Sequence, residues 1–213
     1  MVKVKICGIT DPHDALFSAE LGADSLGFIF APSPRQVTPE EVRAIVVRLP
    51  PFVQTVGVFI DEDLATIRKI IDFCGLDLVQ LHGDESPEMC YELMPRTVKA
   101  FRVKGESSLS AIRRYRGSVK AVLFDSYSEE KRGGTGKTFD WNLAVKGKDL
   151  GMPVILSGGL TPSNIQEAIL TVKPYAIDVS SGIEESPGKK SPILMQRLME
   201  TIRQLDVGGL PND

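Results

Sequence analysis

Two residues far apart in the chain could share a proton-transfer reaction. Cys7 closes the alternating run Lys3-Val4-Lys5-Ile6-Cys7, which reads as a short strand, and Gly8 then lets the backbone turn. Asp125 closes Ala121-Val122-Leu123-Phe124-Asp125 in the same way. A thiol and a carboxyl at two strand ends suggest a base and an acid. The plainer reading of Cys7 is a small buried hydrophobe, which is what most free cysteines are. Its place at a strand end, just before a turn, is what favours chemistry. The alternation puts Val4 and Ile6 on one face and Lys3 and Lys5 on the other.

A second group of residues could hold an anion. Ser157-Gly158-Gly159-Leu160 and Ser180-Ser181-Gly182-Ile183 each follow an apolar run, and glycines there let backbone N–H groups approach a phosphate closely. The bland alternative is that they only make tight turns. Gly133-Gly134-Thr135-Gly136-Lys137-Thr138 looks like a nucleotide P-loop, but the full pattern needs a glycine where Lys131 stands, and no strand immediately precedes it. It reads instead as a loop over the site, with Gly134 and Gly136 approaching the phosphate.

These residues can act together only if the fold gathers them. Strands are expected at 2–7, 25–30, 53–59, 76–81, 97–101, 121–125, 153–156 and 176–179, with helical patterns in most intervals. Thr38-Pro39-Glu40-Glu41 opens one helix with an N-cap, a first-turn proline and early acids, and Thr161-Pro162-Ser163-Asn164 opens another in the same way. Helices are also expected at 14–21, ended by Gly22, and at 61–73, 86–93, 107–115 and 191–205. The interval 126–149 is the weakest, with a short helical stretch at 141–145.

Eight strand–helix units of about 25 residues each imply an α/β fold, a (β/α)8 TIM barrel. A doubly wound open sheet also alternates strands and helices, but the count of eight favours the barrel, as does a length near the roughly 250 residues typical of it. The barrel is expected as one domain over 1–207, with 208–213 as a frayed tail. In such a barrel the C-terminal ends of the strands share one mouth. Cys7, Arg35, His82, Asp125, Gly158, Gly159, Asp178 and Ser180 would meet there. The loops after strands 7 and 8 are the usual phosphate site, and a short helix is expected to begin near Gly182.

Composition narrows the function. At 42% hydrophobic and 25% charged, the chain can bury a core and is not a disordered sequence. A net charge of -3 with both signs interspersed gives no footprint for nucleic acid. The three cysteines have no CxxC pair and the two histidines are far apart, which suits a reducing cytosol and argues against a zinc site. No apolar run approaches the roughly 20 residues that span a bilayer. A cytoplasmic enzyme without metal or membrane is the expectation.

At this point the motifs add up to a family. Lys5-Ile6-Cys7-Gly8-Ile9-Thr10, Ser33-Pro34-Arg35, Val56-Gly57-Val58-Phe59, Val79-Gln80-Leu81-His82-Gly83-Asp84-Glu85, Asp125-Ser126, Phe139-Asp140-Trp141, Leu156-Ser157-Gly158-Gly159-Leu160, Asp178-Val179-Ser180-Ser181-Gly182-Ile183-Glu184 and Pro187-Gly188-Lys189-Lys190 resemble phosphoribosylanthranilate isomerase, in order and over nearly the whole chain. The resemblance implies a tryptophan-pathway enzyme that converts N-(5-phosphoribosyl)anthranilate into 1-(2-carboxyphenylamino)-1-deoxyribulose 5-phosphate. This is an Amadori rearrangement with no cofactor. By resemblance Asp125 is the general acid and Cys7 the general base. The chemistry asks the Asp125 pKa to rise above about 3.9 and the Cys7 pKa to fall from about 8.5. Arg35 could hold the anthranilate carboxylate in a bidentate pair, against the commoner fate of a solvated arginine. Asp178 could accept from the anilino nitrogen or a ribose hydroxyl, or brace the loop. His82 could line the mouth, or tie its loop to Asp84 or Glu85. Gly134, Gly136, Gly158, Gly159, Ser180, Ser181 and Gly182 would surround the phosphate.

Two other readings compete: another phosphosugar or phosphate-ester barrel enzyme, and a catalytically silent barrel. A pentose-phosphate epimerase would want paired aspartates and metal-binding histidines at strand ends, where only His82 is available. A thiamine phosphate synthase would need magnesium and pyrophosphate ligands that the chain does not clearly offer. A catalytically silent barrel that binds a phosphate metabolite would keep the glycine loops without needing Cys7 and Asp125 together. The sequence accommodates a monomer or a homodimer.

Overall fold

The computed structural model describes residues 2–103, 105–126 and 141–207. Eight parallel strands close into a barrel: β1 (Lys3–Cys7), β2 (Ser25–Ile29), β3 (Gln54–Phe59), β4 (Leu78–Leu81), β5 (Thr97–Val103), β6 (Ala121–Ser126), β7 (Val154–Ser157) and β8 (Ala176–Val179). Each strand pairs with the next, and β8 returns to β1 with Lys5 opposite Asp178. On the other side of β1, Cys7 lies opposite Gly27. The connections carry α1 (Pro12–Glu20), α2 (Pro39–Val46), α3 (Leu64–Cys74), α4 (Pro87–Glu92), α5 (Glu106–Ile112), α6 (Trp141–Gly147) and α7 (Ile165–Val172), and α8 (Pro192–Val207) follows the last strand.

Local chemistry sets several helix ends. Thr38 and Glu41 form a reciprocal capping box at the start of α2, after which Pro39 costs no intrahelical bond. Gly75, at φ 74°, ends α3 in the left-handed conformation that a glycine adopts without strain. The opening at 161–164 differs from the sequence expectation. Asn164 Oδ1 accepts from the Thr161 amide, the intervening residues turn, and the helix begins only at Ile165.

The main core lies between the sheet and the helices. Val4, Ile6, Leu26, Phe28, Leu81, Phe124, Leu156 and Ile177 all point outward into it. A separate cluster of Val98, Ala100, Ala121, Leu123, Ile155 and Ala176 packs at alternate strand positions. Alternate residues of a parallel barrel strand face the helices or the lumen, so both faces are buried. The alternation in β1 therefore does not mark a wet face. Lys5 is 5% exposed and points into the lumen, while Lys3 reaches the surface and pairs with Asp24.

The short helix expected near Gly182 is a single 3-10 turn, Ser181–Ile183. After it the chain makes an antiparallel hairpin of β9 (Glu184–Ser186) and β10 (Lys189–Lys190), turning at Gly188 with φ 86°. Thr10 donates to the Gly188 carbonyl at 2.5 Å, which binds this hairpin to the loop after β1. Among the described residues no helix is long and apolar enough to cross a membrane.

Candidate functional site

One cavity of about 280 Å³ opens at the C-terminal ends of the strands. Cys7, Arg35, His82, Asp125, Asp178, Gly158, Gly159, Ser180, Ser181 and Gly182 all line it. The fold thus brings together every expected site residue except Gly134 and Gly136, which lie outside the described residues. Cys7 on β1 and Asp125 on β6, three strands apart round the barrel, open into the same space. A larger cavity of about 450 Å³ lies at the opposite, N-terminal end. It contains neither Cys7 nor Asp125, and the charges that line it are already engaged: Lys3 with Asp24, and Asp77 with Thr55. The smaller cavity is therefore the candidate site.

Cys7 is held tightly. A Cβ at Gly27 would come within 2.7 Å of its sulfur, so only glycine on the neighbouring strand leaves room for it. Burial pushes the Cys7 thiol above its usual pKa, partly offset by Lys5 beside it and by Lys190. This direction is opposite to the fall that the chemistry asks for. Lys190 donates from Nζ to the Cys7 carbonyl at 2.6 Å and to Glu184 Oε1 at 2.8 Å.

Arg35 lies over Gly8, where a Cβ would stand 2.5 Å from its Cδ and where φ is 76°. Its Nε and one terminal nitrogen make a bidentate pair with Glu184, at 2.8 and 2.6 Å. Arg35 is therefore a held residue rather than a solvated one, and its second terminal nitrogen remains for another acceptor. Burial disfavours the Glu184 carboxylate, but donation from Arg35 and Lys190 outweighs it and holds its pKa below the usual range.

The cavity floor is polar. Lys5 Nζ lies 2.8 Å from Asp178 Oδ1 and 2.9 Å from Gln80 Oε1. Burial works against the Lys5 charge, but the Asp178 carboxylate beside it more than compensates, so the Lys5 pKa is raised. Ser157 Oγ approaches Asp178 Oδ2 at 3.3 Å. His82 is not tied to Asp84 or Glu85. Its Nε2 lies 3.3 Å from Asp125 Oδ2, and its Nδ1 lies 3.1 Å from Gln80 Nε2. Glu85 is taken instead by Lys99 and by the amides of Asp61 and Gly83.

Glycines shape the remaining wall. Gly158 and Gly159 take φ 89° and 64° in succession. A Cβ at Gly182 would stand 1.9 Å from the Leu160 carbonyl oxygen, so the loops after β7 and β8 touch there. Among the described residues the N–H groups of Gly159, Ser181 and Gly182 meet no acceptor, which suits them to an anion. Elsewhere, Asp11, His13 and Asp14 bring ligand-type atoms within 4.8 Å of one another, but Asp11 caps α1 and Asp14 accepts the Lys190 amide.

Sequence reasoning missed Lys5, Gln80, Gly27, Glu184 and Lys190. Period two could have found the first two, since Lys5 and Gln80 stand two residues before Cys7 and His82 and share their lumen face. Glu184 and Lys190 reach the site from a hairpin that carries no such signal.

The sequence family described as N-(5'-phosphoribosyl)anthranilate (PRA) isomerase matches residues 4–201. A Geobacter sulfurreducens protein named N-(5'-phosphoribosyl)anthranilate isomerase is 54% identical over 205 residues, covering 96% of this chain and 98% of that protein. The crystal structure of phosphoribosyl anthranilate isomerase from Thermotoga maritima superposes with a TM-score of 0.89 at 43% identity, covering 96% of this chain and 100% of that one. A phosphoribosyl anthranilate isomerase solved in complex with reduced 1-(o-carboxyphenylamino)-1-deoxyribulose 5-phosphate superposes with a TM-score of 0.86 at 40% identity, with the same coverage.

Proposed function

The chain belongs to the N-(5'-phosphoribosyl)anthranilate isomerase family of tryptophan biosynthesis, and we propose that it carries out the family's Amadori rearrangement with Asp125 as general acid and Cys7 as general base. The observation that carries the assignment is the single cavity into which both side chains open, with a glycine-walled end suited to an anion.

In the first step Asp125 gives its proton to the ribose ring oxygen. The C1–O bond breaks, and the anilino nitrogen lone pair forms the C1=N bond of a Schiff base. Cys7, as thiolate, then takes the C2 proton. The C2–H electrons form C1=C2, and the C=N electrons return to nitrogen. The enolamine gains a proton at C1 and loses one from the C2 hydroxyl, leaving the ketone. Atoms and charge balance without a redox partner. Lys5 and Lys190 are the cations that favour the thiolate against burial.

The substrate's charges find partners in the same cavity. The free edge of Arg35 suits the anthranilate carboxylate. Asp178, with Oδ1 engaged by Lys5, offers Oδ2 to the anilino nitrogen or a ribose hydroxyl. His82 lines the sugar site beside Asp125. Gly158, Gly159, Ser180, Ser181 and Gly182 form the phosphate cradle, and phosphate binding is also assigned to Gly134 and Gly136, which lie outside the described residues. The reduced product bound by the solved relative is the ligand we assign to this cavity. All of these side chains come from one barrel, which we assign to residues 1–207, so each chain is competent as a monomer or within a homodimer. Three free thiols fit a cytoplasmic enzyme.

The test is turnover. Freshly made phosphoribosylanthranilate is added and the loss of its fluorescence followed. The wild type consumes it, whereas Cys7→Ser and Asp125→Asn are slower by on the order of a hundredfold or more. Near-normal rates in either variant overturn the residue assignment, and saturable binding without product marks a silent barrel.

A further inference from the structure

Beneath the cavity, a line of hydrogen bonds has its directions fixed at one end. The Lys5 ammonium carries protons and no lone pair, so it can only donate. The Gln80 atom 2.9 Å from it is therefore the amide oxygen, and the amide NH2 faces the other way, toward His82. That nitrogen lies 3.1 Å from His82 Nδ1. An amide nitrogen also only donates, so Nδ1 must accept, and the one proton of the neutral imidazole sits on Nε2. Nε2 lies 3.3 Å from Asp125 Oδ2, so its proton is on the side of that oxygen. Asp178 Oδ1, at 2.8 Å, anchors the ammonium from the other side. Gln80 is 2% exposed and Lys5 5%, so the end that sets the direction is shielded from solvent.

We propose that Lys5 and Gln80 are positioning residues that set the His82 tautomer and thereby decide which oxygen of Asp125 carries the acidic proton. The inference deepens the reading of Asp125 as general acid and rests on it. With the Nε2 proton facing Oδ2, the acidic proton resides on Oδ1 and leaves from there to the ribose ring oxygen. As it leaves, charge develops on the carboxylate, and Nε2–H closes into a hydrogen bond with Oδ2 because that oxygen is becoming an anion. The opposite tautomer would set the Nδ1 proton against the Gln80 amide protons and a bare Nε2 lone pair against Asp125. Oδ2 would then have to carry the acidic proton and spend it on the histidine. Neither Lys5 nor Gln80 needs to touch the sugar for this effect.

The experiment reads the tautomer directly in the complete, substrate-free protein. Nitrogen-15 NMR of labelled protein distinguishes protonated from acceptor ring nitrogens, and His13→Gln separates the two histidines. In the wild type, His82 should show an acceptor Nδ1 and a protonated Nε2. Gln80→Met keeps the shape but removes the director. It should replace this pattern with exchange between tautomers and lower kcat roughly tenfold, the worth of one hydrogen bond, with KM changed by less than about twofold. A wild-type proton on Nδ1 overturns the proposal without any variant. An unchanged tautomer and kcat in Gln80→Met overturns it as well. If Gln80→Met does not fold, Lys5→Met combined with Asp178→Asn removes the ammonium without leaving a buried lone charge, and an unchanged His82 pattern there is equally fatal. Near-normal turnover of Asp125→Asn would instead sink the acid assignment while leaving the tautomer result standing, so the two failures are distinct.

Discussion

Gly27→Ala tests how closely the reactive sulfur is placed. The new Cβ would stand 2.7 Å from Cys7 Sγ and 3.1 Å from both Cε and Nζ of Lys5. Nonbonded atoms settle near 3.5–4.0 Å, so the sulfur must retreat by about 1 Å. The backbone cannot easily open to absorb this, because the amides of Gly8 and Ile9 both donate to the Gly27 carbonyl, at 2.9 and 3.0 Å. The displacement therefore falls on Cys7 and Lys5. A reacting group misplaced by about 1 Å can cost on the order of a hundredfold in rate. Overpacking of this kind costs about 1–3 kcal/mol, or roughly 2–12 °C in Tm for a domain of this size, so the variant stays folded at room temperature. Fluorescence progress curves at saturating substrate, with a thermal melt alongside, measure both effects. The expected result is a kcat lowered on the order of a hundredfold with KM little changed, since Arg35 and the phosphate cradle are untouched. A kcat within about threefold of wild type, with an unshifted melt, would refute the claim that this glycine positions the base.

Further outcomes follow from the charges around the site. Arg35→Met should raise KM with a smaller effect on kcat, because it removes ground-state binding of the carboxylate; unchanged substrate affinity in a titration would remove that role. Glu184→Gln should loosen Arg35 and leave the fully buried Lys190 with one fewer partner, raising KM and lowering stability by about 3 kcal/mol or more in urea melts. Because burial raises the Cys7 thiol, its alkylation by iodoacetamide, followed by mass spectrometry, should rise with pH through and beyond the ordinary thiol range; a midpoint below neutrality would contradict this. Burial also pushes Cys74 and Cys90 up to about 11. The folded protein keeps protons there that the unfolded chain loses near pH 9.0, so this stabilisation is complete below pH 9, declines above it and is gone once pH passes about 11. Urea midpoints should fall over that window, and Cys90→Ala should flatten the fall.

The barrel was legible because each strand–helix unit carries its own local signals, and eight of them recur in order. Cys7 and Asp125 were legible for the same reason: each closes an apolar run, and in a barrel strand ends share a mouth. Lys5 was hidden by the alternation that revealed its strand. Period two separates two faces but does not say that a closed parallel sheet buries both. Gln80 was hidden likewise, within a run that names His82. Glu184 and Lys190 depend on contacts across 149 and 183 residues, to Arg35 and to the Cys7 carbonyl, which no local pattern encodes. The short helix expected near Gly182 is confined to the 3-10 turn Ser181–Ile183, and Pro187-Gly188 supplies the turn of the hairpin that follows it. The thiol pKa followed from burial by neighbours on other strands, which the sequence around Cys7 does not contain.

On the proposed mechanism one sulfur and one carboxyl address a single sugar. A crystal structure of this protein with reduced 1-(o-carboxyphenylamino)-1-deoxyribulose 5-phosphate tests it most directly. Cys7 Sγ is expected against C2 of the ribulose chain, Asp125 Oδ1 against the C4 hydroxyl that was the ring oxygen, and the phosphate among Gly159, Ser181 and Gly182. A ligand whose C2 lies beyond reach of the sulfur, or whose C4 hydroxyl meets a group other than Asp125, would contradict it.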